Sequence, residues 1–248
     1  MSPGQPVSSS VGQRRSAART AVVWAALDAA LRGRDPSRLR VLDVGGGTGG
    51  FAVRVAELGA DVTVIDPSPD ALAALDRRAD EQGVAARVRG QQGDLATLAD
   101  LVAPASVDVV LCHGVLEVVE DPGAALEALA AVLPPNGLLS LVVAQQHAAV
   151  VARAMAGHLQ QAREILLGAP PPGPRRFTHD EVAGLVAAAG FGIDTVHAVR
   201  VFADLVPSSL LDLEPGAADA LVALEEAVAD RAEFIPLAQQ LHLLATRS

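Results

Sequence analysis

The chain has 248 residues, half of them apolar, and a formal net charge of −10. That length suits one large α/β domain, and the apolar fraction excludes disorder of the whole. The acidity argues against sequence-independent binding to phosphate backbones, though not against a local basic groove. Apart from histidine every basic side chain is arginine, tyrosine is absent, and the single cysteine, Cys112, forbids an intrachain disulfide; the expectation is a cytoplasmic protein. No uninterrupted apolar stretch reaches the ~18 residues of a membrane span. Residues 1–11 lack the basic start and apolar run of a secretory signal.

Residues 1–13, rich in Ser, Pro and Gly, predict a flexible tail. Residues 14–31 follow a helical period through Val22, Trp24, Leu27 and Leu31, and Gly33 and Pro36 stop it. A helix ahead of the first strand either lies over a site as a lid or extends the core. Residues 39–44 predict strand one and 51–58 its helix; residues 61–66 predict strand two and 69–82 a second helix. Residues 84–88 read as strand three, leading into Gly93-Asp94-Leu95. Residues 107–111 read as strand four, 122–133 as a helix capped by Asp121, and 138–143 as strand five. This alternation implies βαβ units in a doubly wound, mostly parallel α/β sheet.

Beyond residue 144 the rhythm changes. Residues 148–167 predict one long helix, and the proline-rich 168–176 a loop or semi-rigid connector. Thr178 caps a helix over 179–189 with Glu181 at the capping-box position. Residues 193–202 and 241–246 predict strands, and 215–232 an amphipathic helix. The organisation expected is one domain, residues 14–248, with a helical insertion after strand five at about 145–176 acting as a cap.

The chemistry begins at Val41-Leu42-Asp43-Val44-Gly45-Gly46-Gly47-Thr48-Gly49-Gly50, a strand, a tight turn and a helix start. Such a turn lets a ligand lie against the main chain. Gly45, Gly47 and Gly50 fit a dinucleotide fingerprint; Gly45, Gly47 and Gly49 fit the methyltransferase pattern. Three acids decide. Asp43 ends strand one, where a carboxylate suits the ammonium group of S-adenosylmethionine and not a pyrophosphate. Asp66, followed by Pro67, closes strand two, where an acid accepts from ribose hydroxyls. Asp94 follows strand three, placed to accept from the adenine amino group while Leu95 flanks the ring. Acids at three successive strand ends point to S-adenosylmethionine.

On these residues the first two-thirds of the chain resemble a class I S-adenosylmethionine-dependent methyltransferase with a Rossmann-like fold. A narrower likeness runs through Arg19 and Trp24, residues 39–47, His113-Gly114-Val115-Leu116-Glu117, residues 199–204 and Leu241-His242. These blocks resemble the bacterial tRNA 5-carboxymethoxyuridine methyltransferase family, whose members esterify the carboxylate of the wobble-uridine side chain. The resemblance implies Arg19 as a clamp on the cofactor carboxylate, with Gly45, Gly46, Asp66 and His113 lining the cofactor.

Methyl transfer from a sulfonium needs proximity and alignment above all. A carboxylate acceptor needs a cation and no base, which makes Arg200, Arg175 and Arg176 candidates. A hydroxyl or amine would need a base, for which His113 and His147 are available. Glu117, Glu120 and Asp121 read as a loop and helix entry. No His or Cys spacing suggests a metal. The acceptor expected is tRNA, with a small molecule or a non-catalytic cofactor-binding regulator as alternatives.

Overall fold

Among the described residues, ten α-helices and seven β-strands order the chain. In the computed structural model, residues 7–169, 173–213 and 215–248 are described, without the side chains of 7–17, 208, 212 and 213. The first half contains α1 (Val7–Leu31), β1 (Arg40–Val44), α2 (Ala52–Glu57), β2 (Asp61–Asp66), α3 (Pro69–Glu81), β3 (Val88–Gln92), α4 (Leu98–Leu101) and β4 (Val109–His113). The second half contains α5 (Pro122–Val132), β5 (Leu138–Ala144), α6 (Gln146–Met155), α7 (Leu159–Leu166), α8 (His179–Ala188), β6 (Phe191–Val199), α9 (Ser208–Leu213), α10 (Ala217–Val228) and β7 (Gln240–Arg247).

The strands form one sheet in the order β3-β2-β1-β4-β5-β7-β6. The first five are parallel, and β7 runs antiparallel between β5 and β6. Because side chains alternate across a strand, each face buries its own apolar set. Leu42, Val110, Leu139 and Leu141 pack with Leu126, Leu129 and Val182 beneath α5 and α8. Val41, Val62, Val109 and Leu111 pack with Leu27, Val53 and Leu75 beneath α1, α2 and α3. All ligand-facing loops of the parallel part then emerge at the carboxyl ends of the strands.

Helix starts follow their caps. Ser68 accepts from the Ala71 amide, Asp121 from those of Gly123 and Ala124, and Thr178 from that of Glu181. The reciprocal half of the capping box is missing, since the Glu181 carboxylate pairs instead with Arg175 at 2.6 Å.

Several boundaries correct the expectations. Helix α1 begins at Val7, inside the stretch read as a tail, and residues 1–6 lie outside the described residues. Strand three occupies Val88–Gln92, not residues 84–88. As a polar edge strand it has little apolar alternation to announce it, and its register comes from pairing Val62 with Val88 and Asp66 with Gln92. Strand four runs two residues further, so His113 is its last residue, paired with Val142. The long helix breaks into α6 and α7 at Gly157, which sits at φ +81°. Within the proline-rich connector, residues 170–172 lie outside the described residues. Strand six ends at Val199 because Arg200 adopts φ +61° and turns the chain out of the sheet.

Candidate active site

At the end of β1 the chain makes its glycine turn, and Gly45, Gly46 and Gly49 are dictated by close approach, Gly45 because a Cβ would lie 2.5 Å from the Val115 side chain. A Cβ on Gly46 would lie 2.5 Å from the Asp43 carboxyl, and one on Gly49, at φ +76°, would lie 2.1 Å from Leu75. Gly49 is therefore pressed onto α3, a packing position more than a ligand contact. The Gly45 amide donates to the Ile65 carbonyl at 2.7 Å, tying the turn to β2. The Gly47 amide donates to Asp66 Oδ2 at 2.9 Å, while Oδ1 accepts from the Ser68 amide at 2.9 Å. The next carbonyl, that of Pro67, accepts from Gln92 Nε2 at 3.2 Å.

Asp43 is 3% exposed, and among the described residues no donor reaches its carboxyl. Burial, reinforced by the charge of Asp66, pushes its pKa up to about 7. Asp94 sits at the surface, where Oδ1 accepts from the Thr97 amide and hydroxyl, both at 3.0 Å. Part of its accepting capacity therefore closes its own turn. Leu95 is buried in the core beneath the sheet.

His113 stands at the carboxyl end of β4 with its ring edge against Phe51, centroids 4.7 Å apart. Its Nε2 lies 2.8 Å from Ser140 Oγ, which lies 2.9 Å from His242 Nε2. The His242 ring in turn stacks on His197 at 5.2 Å. These groups form a polar ladder across β4, β5, β7 and β6 under α1. Burial pulls the His113 pKa down to about 4 and that of His242 well below its usual value. Both rings are neutral at pH 7. His113 is thus a neutral ring with Nε2 committed to Ser140 and Nδ1 without a partner among the described residues.

The arginines converge. A cavity of about 370 Å³ is lined by Glu117, Ala144, Arg175, Arg176, Arg200 and Gln240 among others. Arg175 pairs with Glu181, and Arg200 with Asp204. Arg176 has a carbonyl partner, Gln145 O at 3.3 Å. Burial lowers its pKa; Glu117 works against that shift, and Arg153 and Arg200 add to it. Glu117 is 8% exposed; its Oε1 accepts from the Ala144 amide at 2.7 Å, and its Oε2 is buried with no partner among the described residues. Glu117 is more than the loop residue its sequence position suggests.

Arg19 does not stand alone either: its Nη2 donates to Asp204 Oδ1 at 2.5 Å. The loop carrying Arg200 and Asp204 is held by Glu225, a fully buried carboxylate that accepts from the amides of Val201, Phe202 and Ala203 at 3.0, 2.8 and 2.7 Å. Asp204, Glu225 and Ser140 were not singled out from sequence. Glu225 left a signal, an acid between Leu221 and Val228 on the apolar face of its helix.

The comparisons with known proteins show the family and the fold. Residues 42–139 match the family described as a methyltransferase domain. The chain is 30% identical over 243 residues to the tRNA 5-carboxymethoxyuridine methyltransferase of Escherichia coli (strain K12), covering 95% of this chain and 90% of that one. It belongs to that family of class I S-adenosylmethionine-dependent methyltransferases. The methyltransferase is also 34% identical over 157 residues to a ubiquinone biosynthesis O-methyltransferase of Azorhizobium caulinodans, covering 62% and 58% of the two chains. Its fold matches magnesium protoporphyrin IX methyltransferase from Synechocystis PCC 6803, solved with bound SAH, at a TM-score of 0.60 and 17% identity over 100% of this chain and 90% of that one.

The methyl donor is S-adenosylmethionine, and the residues present fit it. Asp43 offers a buried carboxyl without a donor to a ligand with an ammonium group. Asp66 is fixed by two amides beside Gly47, at which a Cβ would meet nothing closer than 3.8 Å. Among the described residues no helix is long and apolar enough to cross a membrane.

Proposed function

We propose that this methyltransferase esterifies a carboxylate, that of 5-carboxymethoxyuridine at the wobble position of tRNA. The observation that carries the reading is the single cavity walled by Arg175, Arg176 and Arg200 in a chain whose net charge is −10. A guanidinium matches a carboxylate bidentately. Arg176 is the best placed, because among the described residues no carboxylate pairs with it, whereas the other two already hold acids. Burial above all, with Arg153 and Arg200 beside it, disfavours the Arg176 charge, and Glu117 offsets only part of this.

The cofactor supplies an electrophilic methyl group on sulfur. Around it, Asp43 holds the ammonium, Asp66 the ribose hydroxyls, and the remaining oxygen of Asp94 the adenine amino group. Gly45, Gly46 and Gly47 form the floor, and Arg19 holds the cofactor carboxylate. His113 packs beside the transferring group without abstracting a proton, and a carboxylate, ionised at pH 7, requires none. Arg200 helps Arg176 aim the acceptor oxygen in line with the methyl, an alignment worth up to roughly 7–11 kcal/mol in favourable systems. Helices α6 and α7 cap the acceptor side, and we place the protein in the cytoplasm.

The test is methyl transfer in vitro from labelled S-adenosylmethionine to an anticodon stem-loop bearing 5-carboxymethoxyuridine. Label should appear in a methyl ester that mild alkali removes, and a stem-loop with 5-methoxyuridine should stay unlabelled. Equal labelling of both, or of neither, would sink the carboxylate reading. A small-molecule acceptor is favoured by a second cavity of about 400 Å³ beside His147, His179, Ile235 and Pro236; an untargeted metabolite screen with the same label separates the two.

A further inference from the structure

One carboxylate joins two parts of the protein that are remote in sequence. Asp204 Oδ1 accepts from Arg19 on α1, and Oδ2 from Arg200 after β6. The Asp204 and Arg200 side chains are 19% and 25% exposed and that of Arg19 is 41% exposed, so the Arg200 pair is the better sheltered from the screening that weakens surface pairs. Two guanidinium groups on one carboxylate leave a positive charge uncompensated. Each also leaves a donor unused: Arg19 Nε and Arg200 Nε are buried without an acceptor among the described residues. A buried donor in that state is costly unless a ligand arrives to accept from it.

The surroundings fix the backbone beside the trio and leave the long arginine side chains to be ordered. Arg200 is held at φ +61°, and Glu225 fixes the three amides that follow it. Ala203 packs with Ala18 of α1 and Leu221 of α10. Arg200 also donates to Gln240 Oε1 at 3.3 Å in the wall of the arginine cavity. Arg19 lies on the helix whose Trp24 ring meets Phe51, the residue that opens α2 after the glycine turn.

We infer that Asp204 is a positioning residue that couples the two ligand sites, linking Arg19 on the cofactor side to Arg200 on the acceptor side. The inference rests on the roles proposed above for those two arginines. A carboxylate has room for both guanidinium groups, and each arginine keeps its Nε edge for a ligand anion. The first ligand to bind therefore orders a shared cluster, and the second meets a cluster already ordered, which is positive cooperativity without a large movement.

Calorimetry tests this on the full chain with a stem-loop bearing 5-carboxymethoxyuridine, with and without saturating S-adenosylhomocysteine. In the natural protein the second ligand should tighten the stem-loop by about fivefold or more. In Asp204→Asn, which keeps shape and removes charge, the factor should fall below about twofold, and Asp204→Glu should restore part of it. Hydrogen exchange gives an arm independent of the acceptor: S-adenosylhomocysteine alone should slow exchange in residues 201–206 of the natural chain but not of Asp204→Asn. Coupling of equal size in Asp204→Asn overturns the inference, as does a lowered melting temperature with coupling intact. If no stem-loop binds the natural chain, the acceptor reading falls and the exchange experiment alone decides: protection at 201–206 lost in Asp204→Asn supports the coupling, and protection retained overturns it.

Discussion

The cofactor side and the acceptor side of this site are built by different means. From β1 to β4 the ligand-facing groups are backbone amides and short acids at strand ends, fixed by neighbours a few residues away or on the adjoining strand. From β5 onward the groups proposed to face the acceptor are long arginines held by carboxylates: Glu181, six residues on, for Arg175; Asp204, four residues on, for Arg200 and also for the remote Arg19; and Glu225 of α10 for the loop that follows Arg200. The first design is rigid because a turn has few conformations. The second is adjustable, since a guanidinium on a flexible stem can be redirected by changing its partner. A common cofactor and a variable acceptor call for those two qualities.

The largest effect expected is on the rigid side. Asp66→Ala removes an acceptor for two ligand hydroxyls and for two amides, and S-adenosylmethionine affinity should fall roughly a thousandfold, about 4 kcal/mol. Calorimetry within threefold of the natural protein would show that the turn holds without its acid. Next comes the titration of Asp43. Its folded pKa, about 7, is raised above the usual 3.8, so the folded chain binds this proton more tightly than the unfolded chain. The stabilisation is complete below about pH 4 and is lost as pH rises to about 7, on the order of 4 kcal/mol. Ligand-free melting should show that decline relative to Asp43→Asn. Binding a cationic ligand should release a proton near pH 7, visible in calorimetry across buffers.

On the adjustable side, Glu225→Ala strands three buried amides and should cost about 3 kcal/mol in denaturant unfolding. A loss under 1 kcal/mol would mean that water replaces the carboxylate. Arg176→Ala should lower kcat/KM for the carboxylate acceptor roughly thirtyfold, with cofactor affinity unchanged. Arg176→Lys should recover only part, because an ammonium lacks the planar fork. The smallest effect is at Thr178→Ala, a lost helix cap at the base of the insertion worth about 1 kcal/mol. Unaltered unfolding there would indicate that the parallel bridge from Gln145 to Phe177 holds the segment by itself.

Legibility followed the same division. Strand two, the cap at Asp121, the glycine turn and the acids Asp43 and Asp66 could all be read from residues adjacent in sequence. Strand three could not, because Val88–Gln92 is a polar edge whose identity as a strand comes from pairing with β2. Nor could the end of β6, where a left-handed arginine is stabilised by an acid two elements away. His113 was found, but its chemistry was not. Only burial and the contact with Ser140 make it a neutral ring with one nitrogen engaged.

By itself, the sequence determined the order of the strands and the larger helices, the glycine turn and the membership of a methyl-transferring family, because glycine, proline, caps and strand-end acids act through local backbone geometry. The tertiary structure decided which arginines share a cavity, that Asp204 joins Arg200 to Arg19, and which titratable groups lose their charge. Those outcomes depend on desolvation and on contacts between residues far apart in the chain, and neither quantity is written in any short stretch of it.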